Sequence, residues 1–176
     1  MDAVMPLSPE SLQNRQALTA IANIRQFLPD ARIFVASKVR PNWLPATCAW
    51  VESPDRYANS DANQIDAIFA AIRAGLTRRF LRCSDDETLI DADPQPLDAG
   101  PILTRPGGRW QRRLNRTATW LARQGFAILN YDTHTPKVYD AAAFVEIFSG
   151  APYQGHAGLT IESTYFNQAL HATAHC

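Results

Sequence analysis

Apolar positions along the chain fall into short unbroken runs and longer helical stripes, and their alternation predicts the elements. Residues 2–7 (DAVMPL) read as a short buried strand. Ser8-Pro9 follows as an N-cap and N1 pair. It predicts a helix carrying Leu18, Ile21, Ala22, Ile24 and Leu28 at helical spacing and stopping near Pro29. Strands are predicted over 31–36 (ARIFVA) and, more weakly, over 47–51 (TCAWV). The clearest helix runs from 61 to 74, with Ile65, Ile68, Phe69 and Ile72 at i, i+3, i+4 and i+7 and Gly75 as its stop. A strand over 78–84 follows and ends in acids. Residues 91–108 hold four prolines and three glycines, a long loop of the kind compact domains keep for a lid or a binding role. A helix over 109–124 ended by Gly125, a strand over 126–130 (FAILN), and helices over 140–148 and 160–171 complete the pattern.

Strands alternating with helices predict an α/β fold with a largely parallel sheet. In such sheets ligands collect beyond the carboxyl ends of the strands. Three polar stretches fall at such ends: PLSPES after the first strand, SDDE after residue 83, and NYDTHT after residue 130. The pattern places them on one rim.

Composition adds bounds. A chain of 176 residues, 46% of them apolar, fits a single domain over 1–176 with a substantial core. Net charge is zero, which removes any global pull toward nucleic acid or membrane. Its distribution is uneven: ten of the fifteen arginines lie between Arg73 and Arg123, against six acids there. Cys48, Cys83 and Cys176 form no CxxC pair and fit reduced thiols. No signal peptide is read at the N-terminus, and no run approaches the ~18 apolar residues of a membrane span. The expectation is a soluble, cytoplasmic protein without a membrane span.

Three constellations bring in chemistry. In RRFLRCSDDETLID, residues 78–91, an apolar run ends abruptly in Asp85, Asp86 and Glu87. Carboxylates repel, so clustering them on a sheet rim needs a cation or a raised pKa to offset the cost. With Ser84, Asp85 and Asp86 offer hard oxygen ligands suited to Mg²⁺ or Mn²⁺, which bind through one or two carboxylates plus substrate phosphates. The alternative is a solvated acidic turn. In YDTHTPKVYD, Asp132 and His134 stand two apart and would point the same way on an extended chain, with Pro136 holding Thr135 extended. His134 is then a metal ligand, a general base or a donor to phosphate, or else an incidental loop residue. In RPGGRWQRRLNRTATW, Trp110, Leu114, Thr117 and Leu121 share one helix face, with Arg109, Arg112, Arg113 and Arg116 spread opposite. The Pro-Gly-Gly entry leaves free amides at the helix start, a favourable place for anions. A plain amphipathic helix with a solvated basic face is the other reading.

Taken in order, DAVMPLSPES, NRQALTAIANI, FVASKVRPNWL, DANQIDAI, FLRCSDDETLI, RWQRRLNRTATWL, NYDTHTPKVYD and GLTIESTYFN span nearly the whole chain. In this order and spacing the chain resembles the small glycosyltransferase-like proteins encoded by many phages and prophages, relatives of the Stealth sugar-phosphate transferases that build bacterial capsules. The resemblance implies a single-domain GT-A-like, Rossmann-like fold, a mixed and largely parallel sheet with flanking helices. It implies a nucleotide held at Pro6 and Ser8, with Asn63 on the neighbouring helix. Ser84-Asp85-Asp86 stands where a DxD-type triplet belongs, with Ser84 and Asp85 toward the donor and Asp85 and Asp86 toward Mg²⁺ or Mn²⁺. His134 would complete the metal site or touch the transferred group. Ser84 replaces the usual Asp or Asn, and Ser60 and Asp61 replace a basic residue ahead of the Asn63 helix, which leaves Arg109 and Arg113 to supply more of the phosphate contact.

The activity so implied is metal-dependent transfer of a sugar from a nucleotide-diphosphate sugar, with UDP-sugar the first choice, to an acceptor hydroxyl. Asp132 or His134 would act as base in an inverting reaction. The acceptor is left open, with a hydroxylated DNA base, a virion protein and a surface polysaccharide as candidates. Two rivals remain at this point: a Stealth-type sugar-1-phosphate transferase, and a non-catalytic module holding DNA or another polyanion on the arginine-rich helix.

Overall fold

The computed structural model describes residues 1–13, 16–155 and 158–170. Asn14, Arg15, His156, Cys176 and the last position of the helix expected over 160–171 lie outside the described residues. The chain divides into two compact units. One comprises residues 1–56, 63–95 and 134–142 and contains the sheet; the other comprises 57–62, 96–133 and the chain from Ala143 onward and is mainly helical.

The sheet unit is built on β1 (Asp2–Pro6), β2 (Ile33–Ser37), β3 (Cys48–Glu52), β4 (Arg79–Arg82) and β5 (Lys137–Asp140), in the order β3-β2-β1-β4-β5. The pairs β2–β3, β1–β2 and β1–β4 are parallel, and β5 closes the edge antiparallel to β4. The fold is therefore α/β, with a mixed, mostly parallel sheet and flanking helices. Every residue of β1 and β2 is buried, as expected for strands covered on both faces.

Helix α1 (Gln16–Phe27) lays Ala17, Ala20, Ile21 and Ile24 on this sheet, where Ala3, Met5, Ile33, Val35 and Leu81 meet them. It starts later than the Ser8-Pro9 signal suggests. Ser8 Oγ accepts from the Ser11 amide at 3.2 Å, and Leu12 and Gln13 donate to the carbonyls of Ser8 and Glu10. The cap chemistry works, but on a turn that precedes the helix. Helix α2 (Ser60–Arg73) ends as its sequence predicts. Gly75 sits at φ 93°, and the amides of Gly75 and Leu76 return to the carbonyls of Ile72 and Ala71.

The helical unit holds α3 (Arg109–Gln124), most of α4 (Ala141–Gly150) and α5 (Ile161–Ala169). Phe144, Phe148, Tyr153, Tyr165 and Phe166 form an aromatic cluster with ring centroids 4.6–6.1 Å apart. The buried side of α3 is Gln111, Leu114, Thr117, Ala118 and Leu121. Trp110, expected on that face, is 41% exposed. Gln111 takes the inner place because its amide is fully used: it accepts from Arg105 Nε at 3.1 Å and donates to Leu103 O and Asn115 Oδ1.

The strand expected over 126–130 does not join the sheet. Ile128 and Asn130 pair with residues 99–102, and Asn167 grips Leu129, donating to its carbonyl at 2.7 Å and accepting its amide at 2.9 Å. A side-chain amide here satisfies the backbone that a neighbouring strand would otherwise satisfy. The same pairing ties down the proline-rich stretch expected to be a loop.

Candidate functional site

Strand order locates the site. From β1 the chain passes through α1 to β2 and β3 on one side, then returns through α2 to β4 on the other. The direction of winding reverses between β1 and β4, which makes the gap beyond their carboxyl ends the topological switch point. The pairing ends at Val4↔Arg82 and the Cys83 amide, which reaches Val4 O at 3.1 Å. Ala3 and Leu7 give their amides to the β2 side, so even positions of β1 face β4. Pro6, with no amide to give, falls where β4 has already departed. Pro6-Leu7-Ser8 and Ser84-Asp85-Asp86 are the segments that leave these two neighbouring strands at that point.

The acids beyond β4 separate into two roles. Arg82 is buried at the end of β4, next to the apolar Phe80, Leu81 and Cys83, and must be paired. Its Nη1 donates to Glu87 Oε1 at 3.1 Å, and its Nη2 donates to Gln64 Oε1 at 2.6 Å and Ser84 Oγ at 2.8 Å. Glu87 Oε2 accepts the Ser84 amide at 2.7 Å, which folds the turn back on the strand. Glu87 is thus an internal counter-charge. Asp85, half-buried, and Asp86, exposed, remain at the rim. Burial, and after it the Glu87 carboxylate, push the Cys83 thiol up to about 12, against a smaller opposing pull from Arg82. Cys83 is a packed thiol, not a nucleophile.

His134 reaches the same rim, by a route the sequence did not suggest. Lys137 at the amino end of β5 pairs with Arg82 at the carboxyl end of β4, so the residues just before Lys137 stand level with the acidic turn. Lys137 is buried, and its Nζ donates to Thr135 O and Oγ1 at 3.1 and 3.2 Å, pinning the bend at residues 134–135. His134 is exposed and at φ 48°, a left-handed conformation uncommon for a side-chain-bearing residue and enriched at functional sites. The extended arrangement expected to align Asp132 with His134 is therefore absent. Asn63, in the first turn of α2 beside Gln64, accepts the Arg56 amide at 3.0 Å.

Among the described residues no three His, Cys, Asp or Glu side chains are gathered as a metal-holding group. Asp85, Asp86 and His134 are thus not a preassembled three-ligand set. Two carboxylates at an open rim still suit a hard cation that takes its other oxygens from substrate phosphate and water.

The helical unit carries the other expected residues. Arg109 is exposed at the start of α3. Arg113 is not on a solvated face: it lies 3.3 Å from Asp61 Oδ2 and donates to Asn59 Oδ1 at 2.6 Å and Ser60 Oγ at 3.0 Å. Asp132 accepts a short hydrogen bond from Ser163 Oγ, itself the acceptor of the Tyr131 amide at 3.0 Å. Burial raises the Asp132 carboxyl well above the usual range, and the charge and hydrogen bond of Glu162 raise it further. Both effects favour the protonated form of Asp132.

Sequence reasoning missed Arg82, Gln64, Glu87 as a counter-charge, Lys137 and Glu162. A signal for the first was present: an arginine inside Phe80-Leu81-Arg82-Cys83 requires an acid, and Glu87 is five residues on. No protein family matches the chain, and no curated protein does. Among solved structures, the chain is similar to the 2-C-methyl-D-erythritol 4-phosphate cytidylyltransferase of Thermus thermophilus, at 14% identity and a TM-score of 0.40 over 100% of this chain and 99% of that one.

Proposed function

We propose that the chain is a transferase acting on a nucleotide-diphosphate sugar and moving the sugar to an acceptor hydroxyl. The observation that supports this reading most is that two polar segments, Pro6-Leu7-Ser8 after β1 and Ser84-Asp85-Asp86 after β4, leave adjacent parallel strands at the switch point. Ligands of open α/β sheets bind at such a point. The nucleotide would lie along Pro6 and Ser8, with Asn63 on the α2 side and Ser84 and Asp85 toward the diphosphate. Asp85 and Asp86 would hold Mg²⁺ or Mn²⁺, which when bound neutralises charge on the leaving diphosphate. His134, just before β5 at this rim, is a candidate base for the acceptor hydroxyl. Arg109 offers a solvent-facing positive charge, while Arg113 is balanced by Asp61 within its own unit.

A thermal-shift screen of nucleotide sugars with and without Mn²⁺ tests the reading. A UDP-sugar is expected to raise the melting temperature of the wild type in a metal-dependent way, and Asp86→Asn is expected to abolish the rise. No metal-dependent response from any nucleotide sugar rejects it. Release of UDP identifies glycosyl transfer, whereas release of UMP identifies transfer of a sugar phosphate. Binding of hydroxymethylated DNA that falls steeply with salt and ignores Asp86→Asn identifies a polyanion-binding module instead.

A further inference from the structure

We infer that the Ser84 hydroxyl donates a hydrogen bond to an anionic oxygen of the bound diphosphate, aimed there by Arg82, and is not a ligand of the cation. This rests on the reading proposed above, since it assigns a role inside that site.

A guanidinium carries donors and no acceptor. The 2.8 Å contact from Arg82 Nη2 therefore fixes Ser84 Oγ as the acceptor. The rest of the serine is engaged: its amide donates to Glu87 Oε2 at 2.7 Å, and its carbonyl accepts the Glu87 amide at 3.3 Å. What is left is the hydroxyl hydrogen, on a half-buried side chain at the switch point. An oxygen that accepts from a cation becomes a stronger donor through its own hydrogen. It also becomes a poorer metal ligand, because a dication drawn to its remaining lone pair meets the guanidinium's like charge. Arg82 is held in place, since the same Nη2 reaches Gln64 Oε1 at 2.6 Å and Nη1 reaches Glu87 Oε1 at 3.1 Å. The turn therefore divides its labour: Asp85 and Asp86 accept, and Ser84 gives a hydrogen. Arg82 acts through Ser84 and is a positioning residue.

The test titrates the whole chain with Mn²⁺ alone, then with inorganic pyrophosphate and with UDP in saturating Mn²⁺, and uses melting curves to confirm that each variant folds. Ser84→Ala is expected to weaken both anions about tenfold, the effect of losing a hydrogen bond to a charged group, while leaving Mn²⁺ affinity in place. Ser84→Thr, which keeps the hydroxyl, is expected to retain binding. Ser84→Asp is expected to abolish it, because a carboxylate would face the anion. The inference is overturned if Ser84→Ala loses Mn²⁺ as Asp86→Asn does, if it leaves pyrophosphate affinity unchanged, or if Ser84→Asp tightens both metal and anion. A wild type that binds pyrophosphate through Ser84 but not UDP upholds the inference and rejects the nucleotide reading. A wild type that binds neither anion rejects both.

Discussion

Two groups of acids, one in each compact unit, are kept folded by different means. Beyond β4, Glu87 is drawn inside to the buried Arg82, while Asp85 and Asp86 stay at the rim. In the helical unit Arg113 is engaged by Asp61, Asn59 and Ser60. Asp132 instead has Glu162 beside it, and desolvation together with that neighbouring carboxylate favours its protonated form. The contrast separates three carboxylate roles that look alike in sequence: an internal counter-charge, an open pair able to take a metal, and a carboxyl raised by a neighbouring acid. Burial and the nearest guanidinium decide which role each acid takes.

The largest expected effect comes from removing the counter-charge. Arg82→Met strands Glu87 inside the protein, and breaking a buried pair from one side costs about 3–5 kcal/mol. A fall in melting temperature on the order of 10 °C is expected for a chain of this size. A fall of only a degree or two would mean that Glu87 finds water.

Next comes the raised carboxyl of Asp132. The Asp132 carboxyl is raised in the folded state, so the stability its proton contributes is full below the unfolded value of 3.8 and is lost as pH rises through the folded value. Denaturant melts across pH are expected to show wild-type stability declining over that window. Asp132→Asn, which needs no proton, should flatten the curve. Equal slopes in the two proteins would remove the distinction between the two acid groups.

Smaller in stability, though not in binding, is Asp86→Asn at the open turn. It is expected to leave the melting temperature of the ligand-free protein unchanged, because surface substitutions away from buried networks are close to neutral. It should cancel the metal-dependent response to a UDP-sugar. A large loss of stability in Asp86→Asn would place Asp86 beside Glu87 as a structural acid.

The smallest signal is a reaction that fails to occur. With its thiol pushed up to about 12 by burial and by Glu87, Cys83 is expected to resist iodoacetamide at pH 8 in the native state and to react on unfolding. Rapid native alkylation, followed by mass spectrometry of the peptide, would show a turn far more open than the Arg82–Glu87 pair allows.

Where a signal is local, the amino-acid order carried it alone. The stripe of Ile65 and Ile68 with Gly75 as stop, the α3 span ended by Gly125 at φ 77°, and the unbroken apolar runs of β1 and β2 depend on neighbours a few residues away. So does the α/β alternation, whereas the pairing of β1 with β4, which makes neighbours of the strands before SPES and SDDE, is tertiary. Partners distant along the chain decided the rest. Asn167 holds residue 129 out of the sheet, β5 carries His134 to the rim from the opposite direction, and Arg82 selects Glu87 and Ser84 from an acidic run. Spacing reports periodicity and caps, because these are repaid within one turn or strand. A charge's role depends on what packing brings within about 3–4 Å of it, and only the folded chain settles that.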